Sequence, residues 1–469
     1  MSDTHIANDT HIENESTARM GKWPVGKLLL EFAVPAIIGM LVSALYNVVD
    51  RIYIGQGVNH LGIAGIGLVM PIMMIIQALS MLIGIGSNSL FAIRMGEGRS
   101  HEVERIMGHA FALLFLIPLT GIIGSFIFFE PLLLNVLKAS PDVYPYASGY
   151  LRIILYGSIF AAMSPGLTHF IRSDGHPKTS MLVQIVGALT NIILDPIFIF
   201  VFKLGVQGAA WATIISQFIS LVFVLGYFNS KWTRLRFRFE NMKLSLKLSG
   251  QIMAIGFAPF IMQIAMSLVG ILQNSQILRY GGDNALTAMT ITFSISSMIM
   301  MPLMGIGQGS QPIMGYNYGA KKFDRVKRCF KIALISNLSL LFLGMILSET
   351  VPGLLFRLFS SDEGPLQDLA VRTIRICNSM FPLVAFQMMG GQFFQSIGKP
   401  LQGTILSLSR QILFFIPCIY LLPLLWGRLG FTPVEGVFWT FPISDALSAV
   451  LSFSFVSWEF RKWKKINHE

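Results

Sequence analysis

A few polar side chains stand inside stretches of this chain that are otherwise apolar. Asp195 follows Asn191 by four residues, and Gly187 and Gln184 continue the same helical stripe. Pro196 comes next and lacks the amide that would close a backbone bond, so a carbonyl is freed nearby. A carboxylate, an amide oxygen and a freed carbonyl are the hard oxygen ligands that a small cation takes. The same carboxyl could instead carry a proton, because leaving water favours its neutral form. Asp50 lies fifteen residues after Pro35, where a helix is expected to kink. For each aspartate alone, a structural place near a helix end is the competing reading. Arg410 and Asp445 lie about ten and about thirteen residues into the last two apolar runs, from the same side. They are expected to form a structural buried ion pair, since an unpaired buried charge is very costly.

Membrane helices are the elements that must position these groups. Of 469 residues, 53% are hydrophobic and only 13% are charged, and the mean hydropathy is +0.64. A water-soluble domain carries about 25% charged residues, so lipid must face much of this surface. A crossing needs about 20 apolar residues. Twelve runs qualify, near 28–54, 61–93, 105–129, 146–171, 179–202, 207–228, 249–279, 285–314, 328–347, 366–394, 401–425 and 434–458. The net charge is 35 − 24 = +11, and its placement matters more than its sum. Lys and Arg crowd segments 231–247, 321–331 and 461–465, and Arg94, Arg99, Arg105, Arg172, Lys178 and Lys399 stand in further even-numbered gaps. By the positive-inside rule those gaps and both termini face the cytoplasm. A multi-pass protein of the cell (cytoplasmic) membrane is expected, with no nucleic-acid partner.

The chain also repeats itself. Pro35 and Pro259 are 224 residues apart, as are Gly57 and Gly281. Gly84-Ile-Gly86 recurs 221 residues on at Gly305-Ile-Gly307, and Arg152 and Arg375 are 223 apart. The Gly175-His-Pro177 turn recurs as Gly398-Lys-Pro400, and Val206-Gln-Gly208-x-x-Trp211 as Val434-Glu-Gly436-x-x-Trp439. One drifting offset thus matches many landmarks in order, which predicts an all-α protein of two pseudo-symmetric six-helix lobes with the ligand cavity between them. The expected divisions are a disordered tail over 1–22, an N-lobe over 23–230, a basic cytosolic linker over 231–247, a C-lobe over 248–460 and a basic tail over 461–469. Shifted by the repeat, Asp50 falls on Asn274 and Asp195 on Cys418. Neither carboxylate has a counterpart, which argues for one coupling site confined to the N-lobe.

Other patterns point nowhere specific. The glycine strings lie inside apolar helices with no preceding strand and no P-loop lysine, so they read as helix-packing positions. Cys329, Cys377 and Cys418 have no metal-like spacing and read as free thiols. A membrane-embedded enzyme would need clustered His, Asp and Glu near the interface, and the histidines form no motif; no enzymatic activity is expected.

The ordered set of motifs resembles the multidrug and toxic compound extrusion (MATE) exporters, of the MepA-like kind. It comprises Val49-Asp50-Arg51-Ile52-Tyr53-Ile54-Gly55, Tyr150-Leu151-Arg152-Ile153 and Arg172-Ser173-Asp174-Gly175-His176-Pro177, followed by Asn191-x-x-x-Asp195-Pro196 and Gly205-Val206-Gln207-Gly208-Ala209-Ala210-Trp211-Ala212-Thr213. The resemblance covers the chain after residue 22. It implies twelve helices around a V-shaped central cavity, and a cation or proton coupling site, with Na+ as one candidate, at Asp50, Asn191, Asp195 and Thr213. It also implies a first-helix hinge at Pro35. Where other members carry acidic residues on the seventh and tenth helices, this chain has Gln273, Asn274, Gln276, Gln387, Gln392 and Gln395, which speaks against a C-lobe cation site. The implied activity is secondary active export of lipophilic cationic drugs against H+ or Na+, by alternating access. No cofactor other than the ion gradient is expected, and membrane lipids and small-molecule drugs are the expected partners of a monomer. The alternative is a lipid-linked saccharide flippase of the same superfamily, which would need a more cationic cavity than Arg410, Arg152 and Arg375 supply.

Overall fold

The computed structural model describes residues 15–233, 235–360 and 364–466. The described residues are helical throughout, with no strand among them. A short α1 (Glu15–Lys22) leads into the N-lobe, which comprises α2 (Val25–Gly57), α3 (His60–Gly96), α4 (Ser100–Pro131), α5 (Tyr144–Ser173), α6 (Pro177–Pro196) and α7 (Val206–Asn229). The C-lobe comprises α8 (Leu246–Gly319), α9 (Phe323–Thr350), α10 (Pro352–Arg357), α11 (Pro365–Asn378), α12 (Phe381–Ser396), α13 (Pro400–Leu408), α14 (Ile416–Arg428) and α15 (Pro433–Ile466).

Among the described residues ten helices are long and apolar enough to cross a membrane. The pair α11 and α12, bent by 47° where Pro382 follows the break, adds an eleventh crossing. The twelfth is hidden in α8. Its 74 residues would span about 110 Å as one rod, far beyond a hydrocarbon core of about 30 Å. At Gly282 the backbone turns to φ 64° and ψ −163°, a conformation open only to glycine, and the chain doubles back. The arms over 246–281 and 283–319 are the expected seventh and eighth crossings. Proline marks the other joints. After Pro131 and again after Pro196 the chain continues as a π-helical turn (Leu132–Val136 and Ile197–Val201), the wider winding that accommodates a missing amide.

The basic clusters gather at one end of the bundle, and there the lobes lock together. One continuous buried cluster at that end draws on both lobes, with Leu28, Phe32, Ile83, Phe91 and Phe170 from one and Ile252, Ile313, Phe330, Phe393 and Trp463 from the other. At the opposite end the buried clusters separate by lobe, Val69, Tyr150, Ile154 and Ile214 in one and Ile277, Met289, Phe415 and Phe438 in the other. The approach at the basic end is backbone to backbone. A Cβ on Gly86 would overlap the Ile252 carbonyl oxygen, and one on Gly256 that of Leu82. Polar ties cross the same seam: Arg172 Nη1 donates to Gln308 Oε1 at 2.9 Å, and Gln311 Nε2 to Ser89 Oγ at 2.9 Å. The bundle is therefore a wedge, shut at its basic end.

The two terminal segments differ from the sequence reading. The tail expected to be disordered over 1–22 lies outside the described residues as far as 14, but from Glu15 it is helix α1. The reason is a set of donors at the start of α9: Arg325 Nη2 donates to the carbonyls of Met20 and Trp23 and Lys322 Nζ to that of Gly21, while Asn317 Nδ2 adds a second bond to Met20. The basic linker is strapped to the N-lobe: Arg236 Nη1 donates to the carbonyls of Phe228 and Ser230, and its amide to Glu104 Oε1. At the C-terminus α15 runs on to Ile466, because Trp463 is buried among Tyr318, Phe323, Phe393 and Phe460.

Candidate functional site

Asp50 and Asp195 meet between α2 and α6, in the part of the N-lobe away from the basic end. One turn beyond Asp50, Ile54 packs against Ile199 and Ala209, and Tyr53 sets its ring edge-on to Phe200, 6.2 Å between centroids. That apolar clasp fixes the facing of the two helices, and the i, i+4 spacing brings Asn191 onto the same face as Asp195. Asp195 is 0% and Asn191 1% exposed, while Asp50 is half-buried. Asn191 Nδ2 donates to Asp195 Oδ1 at 3.4 Å. The Asp50 and Asp195 carboxyls lie within side-chain hydrogen-bonding reach of one another. Yet Asp50 Oδ1, Asn191 Oδ1 and Asp195 Oδ2 are all buried with no hydrogen-bond donor.

Three unpartnered acceptors from two helices are an expensive arrangement, since leaving a buried polar atom unsatisfied costs about 1–3 kcal/mol. Two bare carboxylates in such proximity, out of water, would also repel one another. A proton shared by the carboxyls relieves the repulsion between them, and a small cation reached by all three oxygens would relieve both penalties. Among the described residues no group of three or more His, Cys, Asp or Glu side chains could hold a metal ion. The donor set of two carboxylates and one amide suits a proton or a monovalent cation.

Two tyrosines missed by the sequence reading as site residues complete the surroundings. Tyr46 precedes Asp50 by one helical turn, and Tyr150 is on α5; both hydroxyls lie in the field of both carboxylates. Tyr150 is buried and donates to Met73 Sδ at 3.7 Å. The i, i+4 relation of Tyr46 to Asp50 was the signal that could have found the first. Thr213, half-buried on α7, makes no hydrogen bond to either carboxylate among the described residues. Pro35 is buried inside an α2 that runs helical from Val25 to Gly57, about 22 Å along the axis from Asp50.

The C-lobe holds ion pairs instead. Arg410 Nε bonds to Asp445 Oδ1, with Asp445 1% exposed and the arginine side chain 18% exposed. Arg410 sits in a π-helical turn (Ser409–Phe415) between α13 and α14, and Asp445 is on α15. A second buried pair, Lys399 with the fully buried Glu459, closes the basic end of the same lobe. Across the molecule at that end, Asp174 accepts from the Tyr227 hydroxyl at 2.6 Å, and His176 Nδ1 lies 2.7 Å from the same hydroxyl. Burial pushes the Asp174 carboxyl up to about 6 and holds the His176 imidazole below its ordinary value.

Comparison with known proteins bears on the family of the chain. The MatE family model matches residues 35–197 and again 259–421, two windows offset by the same 224 residues as the internal repeat. The MepA multidrug export protein of Staphylococcus haemolyticus is 27% identical over 92% of this chain and 93% of its own length. That of Staphylococcus aureus strain MSSA476 is 26% identical over 95% and 96%. Among solved structures, the MATE multidrug transporter DinF-BH, captured in a ligand complex, superposes with a TM-score of 0.84 at 35% identity, covering 95% of this chain and 98% of that one. An outward-facing multidrug resistance MATE family transporter shares the fold, with a TM-score of 0.88 at 23% identity over 96% and 99% of the two chains. On the double match of the family model, set over two six-helix lobes, this membrane protein belongs to the MatE family.

Proposed function

We propose that the chain is a secondary active multidrug exporter of the cytoplasmic membrane, moving lipophilic cations outward against an inward flow of H+ or Na+. The observation that carries the coupling mechanism is the set of buried, unpartnered oxygens of Asp50, Asn191 and Asp195. The transported class is supported by the names of the relatives, multidrug export proteins and the 35% identical multidrug transporter among them.

With the basic end in the cytoplasm, the seam closed by Gly86, Gly256 and the Arg172–Gln308 bond is the inner gate, and the described conformation is the outward-facing one. In this reading a proton or Na+ enters from outside and quenches the charge between α2 and α6. Pro35 lets α2 bend in response, since it breaks the backbone ladder, and the lobes exchange their closed end. Each ligand shifts the equilibrium only by its differential affinity for the two arrangements. The cation therefore favours the state that returns inward, and the drug the state that releases outward.

Proteoliposomes test the coupling ion. Purified protein is reconstituted with an imposed pH gradient or an imposed Na+ gradient, and uptake of a fluorescent lipophilic cation is followed. Transport driven by one gradient and collapsed by the matching ionophore identifies the ion; transport driven by neither rejects antiport.

A further inference from the structure

Arg152 belongs to a motif that the coupling site does not use. It lies eight residues into α5, about 12 Å from the helix start. Glu130 lies six residues before the end of the π-helical turn that follows α4, about 9 Å from that end. Measured from those helix ends, both lie near the depth at which a hydrocarbon core of about 30 Å would give way to headgroups, at the end of the bundle opposite the basic one. Between them opens a cavity of about 430 Å³, walled also by Phe126, Ile127, Phe129 and Tyr156. Its volume is in the range of small-ligand sites.

Its two charges form no ion pair with one another among the described residues. The Arg152 guanidinium lies over the Phe129 ring, 5.3 Å from the centroid. Glu130 and Arg152 are both exposed, and neither makes an ion pair among the described residues. The repeat supplies an internal comparison. At the position equivalent to Arg152, Arg375 Nε meets Glu349 Oε2 at 4.0 Å. The C-lobe thus pairs its arginine with a carboxylate of the neighbouring helix, where the N-lobe sets the two apart across a cavity.

We propose that this cleft binds the headgroup of an amine-bearing zwitterionic phospholipid of the phosphatidylethanolamine type. Arg152 takes the phosphate, with the bidentate fork suited to that anion. Glu130 takes the ammonium, helped by the rings of Phe126 and Tyr156, whose centroids are 6.5 Å apart. Phe126 and Ile127, 73% and 72% exposed, run from the cleft along α4 as an apolar track for an acyl chain, which a soluble zwitterion would not need. An anionic lipid with no amine would place its negative charge beside Glu130 with nothing to offset it.

The test is native mass spectrometry of the full chain in detergent, titrated with phosphatidylethanolamine or phosphatidylglycerol, with retained lipid counted per protein. Wild type should retain phosphatidylethanolamine over phosphatidylglycerol by about fivefold, the factor expected of one modest ion-pair contact. Glu130→Gln should abolish that preference, Arg152→Gln should weaken retention of both lipids, and Arg375→Gln should change neither. Equal retention of the two lipids by wild type, or a preference untouched by Glu130→Gln, would overturn the proposal. The wild-type comparison decides even if a variant fails to fold.

Discussion

Removing the Arg410 guanidinium while leaving Asp445 in place should be among the most damaging single changes in the C-lobe. Asp445 is 1% exposed, and its Oδ2 already lacks a hydrogen-bond partner. Arg410→Met would leave Oδ1 bare as well and strand a charge that its surroundings cannot solvate. Breaking a buried pair from one side typically costs about 3–5 kcal/mol. Because the arginine side chain keeps 18% exposure, water can reach part of the vacated space, and the expected cost is near the lower figure. Replacing both partners, Arg410→Met with Asp445→Leu, removes the stranded charge, so the double variant should return to within about 1 kcal/mol of wild type. Denaturant or thermal unfolding of the purified protein in detergent, read by near-ultraviolet circular dichroism, gives the three differences. A single variant as stable as wild type, or a double variant as damaged as the single one, would refute a structural ion pair at this site.

Other groups give further expectations. Burial holds the Asp174 carboxyl near 6 against its ordinary 3.8, so its contribution to stability is full below about pH 4, falls as pH rises to about 6, and is lost above that. Two pKa units correspond to about 3 kcal/mol; Asp174→Asn should therefore flatten the melting temperature between pH 4 and pH 8, and a wild-type profile already flat there would contradict the shift. At the seam, Gly256→Leu places a side chain on the Leu82 carbonyl and should open the basic end, lengthening spin-label distances between the adjoining ends of α3 and α8. Unchanged distances in the variant would mean that the backbone contact does not hold the gate.

Much of the fold was legible because lipid imposes a simple length rule. Twelve apolar runs and one repeat offset located the crossings of both lobes, and the family model's two windows reproduce that offset. Less visible were features set by proline and by tertiary contact. The π-helical turns after Pro131 and Pro196 begin at prolines that the sequence displays, but a missing amide does not say how the helix will rewind. Helix α1 was hidden because its sequence is polar, and only the Arg325 and Lys322 donors, some 300 residues away, hold it. At the candidate site, Asn191 and Asp195 were readable from helical spacing. Their meeting with Asp50 depends on the packing of α6 on α2, to which spacing is blind. The Lys399–Glu459 pair was missed because each residue alone looks like an ordinary helix-end charge.

The most direct test of the account is energised efflux of ethidium from loaded cells expressing wild type or Asp195→Asn at equal membrane levels. The predicted result is energy-dependent efflux by wild type and its loss in the variant, with unchanged folding of the purified protein. Efflux by both would remove Asp195 from the coupling mechanism, and efflux by neither would contradict the exporter reading.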